Sequence, residues 1–157
     1  MLSQTTPQRK RLPPLQVTDR FIATAINGLG VVLVGIVAVF LADGLLTPTK
    51  NQIIETLAAK VETLTSPWLW WQFLTYGFAH SPWPNYWHIL GNMLGLWFLG
   101  RDIEDTYGPK EFLRLYLTMI VLGGIAWAGT SMLQGLRPDL PLVGASGAVT
   151  GIVVLYA

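Results

Sequence analysis

No cysteine occurs in the 157 residues, which removes a disulfide framework, thiolate metal ligands and a thiol nucleophile from consideration. Charge is nearly as scarce. Asp, Glu, Lys and Arg make up 12% of the chain, about half the share usual in soluble domains. The net charge of +1, with the basic residues dispersed, offers no electrostatic footprint for nucleic acid, so nucleic-acid binding is set aside. There is no H-E-x-x-H for a zinc site and no pair of aspartates inside apolar segments, and no metal or organic cofactor is indicated. What the chain does have is apolar surface: 52% hydrophobic residues and a mean hydropathy of +0.46. That balance points to a membrane.

A bilayer core about 30 Å thick takes about 20 apolar residues in a helix. Three runs of that size fall at 21–46, 83–100 and 112–133, and a fourth begins near Leu142 and is still apolar (GIVVLYA) at Ala157. The fold class expected is an all-α, polytopic transmembrane bundle whose fourth helix is cut off. Residues 1–20, polar and proline-containing, read as a disordered cytoplasmic tail rather than a cleaved signal peptide, and 21–157 as the membrane domain. Arg9, Lys10, Arg11 and Arg20 in the tail, with Arg101, Lys110 and Arg114 after the second span, hold seven of the ten basic residues. By the positive-inside rule these segments are cytoplasmic, and 47–82 and 134–141 lie outside. A bacterial inner membrane suits this arrangement.

The long outer connection carries Ile53, Ile54, Leu57, Ala58, Val61 and Leu64 at three- and four-residue steps. That spacing predicts an amphipathic helix lying in the interface. The following PWLWWQFLTYGF is dense in rings that favour the headgroup level and reads mainly as an interfacial belt.

Polar groups within apolar spans are costly, and so are functional suspects. His88 and Asn92, four apart in WHILGNMLGLW, project from one helix face near the outer end of the second span. Ser146, in LVGASGAVTG, opens the fourth span at the same outer level. A serine in a first helical turn has free backbone N–H groups and the positive end of the helix dipole beside it. With an imidazole and a carboxamide opposite, these groups are suited to holding an oxyanion. Each residue also has a plainer reading. Gly147 and Gly151, four apart, are a small-residue packing motif, and intramembrane His and Asn commonly serve as interhelical hydrogen-bonders.

As a set, HILGNMLGLWFLGRDIEDTYG followed by GASG resembles the rhomboid family, where H-x-x-x-N on the second core helix and G-x-S-G on the fourth form half of an active site. Gly100, Glu104 and Gly108 resemble that family's cytoplasmic turn, and PWLWWQFLTYGFAH the end of its long outer loop. The likeness covers about 67–157. It implies a rhomboid-type bundle with four of six core helices present, and an intramembrane serine endopeptidase acting on transmembrane protein substrates within the lipid bilayer. Ser146 would be the nucleophile. His88, Asn92 and the Ser146 N–H would form the oxyanion hole, with Gly144 and Gly147 as the motif glycines. The family's general base, a His on the sixth core helix, is absent from this chain, so a protein of these 157 residues is expected to be inactive.

Several positions depart from the family pattern. His80 stands eight residues before His88 where five is usual, with extra residues around 82–85. Gln72 follows Trp71 where Arg is common. Thr150 replaces an aromatic residue, and Val154 replaces a frequent Gly in a way expected to widen a helix contact. Two other functions compete. A non-catalytic rhomboid-like pseudoenzyme that binds transmembrane helices would have little need of Ser146, His88 and Asn92 together. A channel or transporter would require charged residues within the spans or paired broken helices, and neither was read from the sequence.

Overall fold

An unbroken apolar stretch, GLGVVLVGIVAVFLADGLL, forms α1 (Gly28–Leu46). Among the described residues of the computed structural model it is one of two helices long and apolar enough to cross a membrane, the other being α6 (Pro109–Leu133). The structure describes residues 27–47, 50–81 and 85–156. The predicted tail at 1–20 and the start of the first span, with the tail's basic residues, lie outside the described residues. What is described is mostly helical.

After α1 come α2 (Gln52–Leu57), the short strand β1 (Ala59–Lys60), two 3₁₀ turns (Val61–Thr65 and Pro67–Leu69) and α3 (Gln72–Thr75). Then α4 (Tyr86–Gly95) passes through a π turn (Leu96–Gly100) into α5 (Arg101–Tyr107). The helix of the second predicted span therefore continues for two turns beyond Gly100, where the apolar run stops. Polarity ends the hydrophobic signal there but not the helix, and Arg101 and Asp105 form an i,i+4 pair at 3.8 Å along the extension. Gly108, at φ +88°, breaks the helix in a conformation that suits glycine. Pro109 then opens α6 at the position where a missing N–H costs nothing.

The outer connection corrects the sequence reading. In place of one amphipathic helix over 53–64, α2 ends after Leu57, and Ala58 turns to extended backbone (φ −61°, ψ 136°). Ala59 and Lys60 pair antiparallel with β2 (Pro141–Leu142), Ala59 opposite Leu142 and Lys60 opposite Pro141. Ile54, Ala58, Ala59 and Val61 are buried in protein rather than laid on the interface. Spacing by threes and fours marks residues that share a buried side, and a helical turn followed by a strand and a 3₁₀ turn satisfies it equally well. The aromatic stretch is mixed too. Trp68, Trp70 and Trp71 are exposed, but Phe73 and Tyr76 are core.

Two buried carboxylates tie these pieces together. Asp43 is a charged residue inside the first predicted span, where none was expected. Its Oδ1 accepts the Thr47 hydroxyl at 2.7 Å and the Ile53 and Ile54 N–H groups at 3.1 and 3.2 Å, so it caps α2 from the end of α1. Glu104 Oε1 accepts the Leu29 N–H at 3.1 Å and does the same for the first turn of α1. Gln72 closes a third link, accepting the Thr63 hydroxyl at 2.8 Å and donating to the Thr56 carbonyl at 3.1 Å. The loop is thus anchored with Gln in the place where Arg is common.

Leu29, Val32 and Ile36 of α1 share a buried core with Leu96, Phe112, Tyr116 and Ile120, while Val31, Val34, Leu41 and Leu45 point outward. Lipid is as apolar as this core, so close packing rather than water exclusion must hold such helices. α7 (Ser146–Tyr156) accordingly meets α6 through glycines. A β-carbon at Gly151 would collide with the Met119 sulfur, and one at Gly123 would lie 3.8 Å from Gly147 Cα. Val154 is exposed and touches none of these packing glycines.

Candidate active site

The fourth segment becomes helical at Ser146, four residues later than the start of its apolar run, because Pro141 and Leu142 are held as strand. Between strand and helix stands Gly144 at φ +110°, a backbone region that side chains disfavour. The Ala145 carbonyl accepts the Val149 N–H at 3.0 Å as the first helical bond. The N–H groups of residues 145 to 148 therefore have no acceptor within α7. Ser146 is exposed, while Gly144 and Ala145 beside it are buried.

His88 and Asn92 lie on α4 against this turn. A β-carbon at Gly144 would stand 2.8 Å from both Cε1 and Nε2 of the His88 ring and 3.8 Å from the Asn92 amide nitrogen. Only glycine fits there. The structure thus brings His88 and Asn92 against the turn that leads into Ser146. Asn92 is buried and spends one amide N–H on the His88 carbonyl at 2.8 Å. His88 has its tautomer set by a neighbour: the Ser81 N–H points at Nδ1 from 3.3 Å, with the Ser81 hydroxyl at 2.9 Å. Since a backbone N–H can only donate, Nδ1 accepts, and the neutral ring carries its proton on Nε2, the atom that faces the turn.

His80, whose role the sequence left open, is fully buried with its ring centroid 5.2 Å from that of His88. The extra residues around 82–85 do not remove it from the site. Its Nε2 accepts the Ala145 N–H at 3.5 Å, so its proton belongs on Nδ1, with the Phe78 backbone as its neighbour. Burial first, and then the charge that His88 would carry, push the His80 imidazole down to about 4.

Two contributors were missed from sequence. The Tyr76 carbonyl accepts the Gly144 N–H at 3.0 Å, and its hydroxyl donates to the Ile120 carbonyl at 2.7 Å. Burial pushes that phenol up to about 12, which keeps it a donor. Tyr76 sits within the aromatic stretch, where no local pattern separates a core ring from an interfacial one. Ser81 could have been suspected only from its place next to His80.

Fold and site together describe a helical integral membrane protein in which an imidazole and a carboxamide on one helix face the glycine turn that leads into a serine opening the next. Comparison with known proteins gives the particular family. Residues 67–157, more than half of the chain, match the Rhomboid domain, and the chain belongs to the rhomboid family, a family of intramembrane serine proteases. It is 31% identical over 103 residues to the Rhomboid protease GluP of Bacillus subtilis, an alignment covering 66% of this chain and 18% of that protein. It is 32% identical over 80 residues to Rhomboid protein 1, mitochondrial, of Saccharomyces cerevisiae, covering 51% of this chain and 22% of the relative. Against the RHOMBOID-like protein 12, mitochondrial, of Arabidopsis thaliana it is 32% identical over 94 residues, 52% of this chain and 27% of the relative. The chain thus spans about a quarter or less of the length of these relatives.

Proposed function

We propose that this chain is part of an intramembrane serine endopeptidase that cleaves transmembrane segments of other membrane proteins. The observation that carries the reading is the approach of His88 Nε2 and the Asn92 amide to the turn that presents Ser146, with no room for a β-carbon at Gly144. Ser146 Oγ attacks a peptide carbonyl, and the resulting oxyanion is held by the Ser146 N–H, His88 Nε2–H and the second Asn92 amide N–H. Collapse expels the amine with a proton, and water hydrolyses the acyl-enzyme.

The attacking hydroxyl must give up a proton, and neither imidazole of this chain is free to take it. His88 bears its own proton on the face toward the turn, and the His80 Nε2 lone pair is engaged by Ala145. The base is therefore a residue beyond this set, which by family resemblance is a His on a sixth core helix of a six-helix bundle. A peptide bond inside a helix is masked by its own hydrogen bonds, so favoured substrates are segments with small or helix-breaking residues near the cut. The basic-residue asymmetry favours a cytoplasmic N-terminus with the site toward the outer face, an arrangement that suits a bacterial inner membrane.

The test is cleavage of such a segment by the purified full-length protein in detergent, compared with Ser146→Ala. Equal rates would defeat the assignment. Binding of a transmembrane helix by a full-length protein that never cleaves would favour the pseudoenzyme reading instead.

A further inference from the structure

This inference rests on Ser146 as the nucleophile. We propose that Tyr76 and His80 are positioning residues for that serine. They take up the two backbone N–H groups that precede it, so that the turn keeps one orientation and the Ser146 N–H is the first left for an oxyanion.

The need for such a device comes from the turn itself. Gly144 lacks a β-carbon and stands at φ +110°, so the peptide planes on either side of it can rotate at little steric cost. A flip of either plane would exchange an N–H for a carbonyl oxygen beside the serine and would turn a donor site into one that repels an oxyanion. Backbone hydrogen bonds are what prevent it. The Gly144 N–H is held by the Tyr76 carbonyl at 3.0 Å and the Ala145 N–H by His80 Nε2 at 3.5 Å.

Both anchors are themselves fixed. The Tyr76 hydroxyl reaches across to the Ile120 carbonyl at 2.7 Å, and its ring fills the space at Gly124, where a β-carbon would come within 2.7 Å of Tyr76 Cε1. His80 is fully buried. Ser81, one residue on, holds His88 Nδ1. One short segment, 76–81, therefore sets the serine turn through Tyr76 and His80 and the facing imidazole through Ser81. Around it, the β1–β2 pair and the Glu62 N–H to Pro138 carbonyl bond at 3.0 Å dock the rest of the outer connection onto the approach to Ser146. Packing alone would need bulk at position 80 but no acceptor, which gives the two roles different consequences.

The experiment uses the full-length protein in detergent, with two readouts: kcat and KM for a transmembrane substrate, and the rate at which a fluorophosphonate labels Ser146. His80→Phe keeps a ring without an acceptor, and His80→Gln restores an acceptor without a ring. The expected result is a loss of kcat and labelling rate of about tenfold or more in His80→Phe at little change in KM, with His80→Gln restoring most of both. Wild-type labelling in folded His80→Phe would overturn the proposal, as would equal loss in His80→Gln. Should His80→Phe fail to fold, Tyr76→Phe carries the test: slowed labelling in the folded variant supports the proposal, and an unchanged rate overturns it. A Ser146→Ala control that still cleaves would instead remove the nucleophile assignment, an outcome readable apart from these.

Discussion

Glu104 Oε1 stands 3.1 Å from the backbone nitrogen of Leu29, across 75 residues of sequence. A carboxylate on α5 thereby caps the helix that begins the described chain, and it does so where Gly28 is pressed against the Pro109 carbonyl. Replacing it should loosen α1 from the α5–α6 corner. Glu104→Ala is expected to lower unfolding free energy by about 1–3 kcal/mol, with Glu104→Gln retaining part of it. Unfolding in mixed micelles measures both, and a wild-type midpoint for Glu104→Ala would contradict the cap.

Asp43 performs the corresponding task at the other end of α1. Asp43→Ala leaves the Ile53 and Ile54 N–H groups without their acceptor and should free α2 rather than unfold the bundle. Amide exchange at residues 52–57 is expected to speed up by about tenfold for each 1.4 kcal/mol lost, with exchange in α6 unchanged. Uniform acceleration throughout would mean that Asp43 supports the whole fold.

Gln72 is buried with both ends of its amide engaged. Gln72→Leu keeps the volume but strands the Thr56 carbonyl and the Thr63 hydroxyl. A cost of about 1–3 kcal/mol is expected, visible as a lower thermal midpoint, and a neutral effect would show that water replaces the amide.

Acid should weaken the fold through His80. Its imidazole titrates near 6.5 when unfolded and is pushed to about 4 when folded, so between those values the unfolded chain holds more protons and stability falls as pH falls. The contribution is fully present above pH 6.5 and is lost by about pH 4, amounting to about 3 kcal/mol at most. Comparing the pH dependence of unfolding for wild type and His80→Gln isolates it from the carboxylates. Parallel curves would show that His80 does not titrate in this window.

On the proposed mechanism, His88→Ala and Asn92→Ala each remove one oxyanion donor and should lower kcat by about 10²- to 10³-fold, with KM little changed. A loss confined to KM would make them substrate-binding groups instead.

Much of this protein was legible in its residues because the relevant signals are local. Unbroken apolar runs produced α1 and α6. The i,i+4 interval put His88 and Asn92 on one face, and Ser146 stood out as a polar group near the head of the fourth apolar run. The outer connection was not legible, since Ile53 through Leu64 have a spacing that helix and strand-plus-turn both satisfy. Nor was the end of the second span, where Arg101 to Asp105 end the hydrophobicity while the helix continues.

What sequence alone determined, then, is which segments are apolar helices and which polar side chains they carry. Tertiary structure decided which backbone N–H groups remain free. The bonds that consume the others, such as Ala145 to His80 across 65 residues, join positions whose separation carries no periodic trace. Which nitrogen of His88 carries the proton was settled in the same way, by a neighbouring N–H that only the folded chain places there.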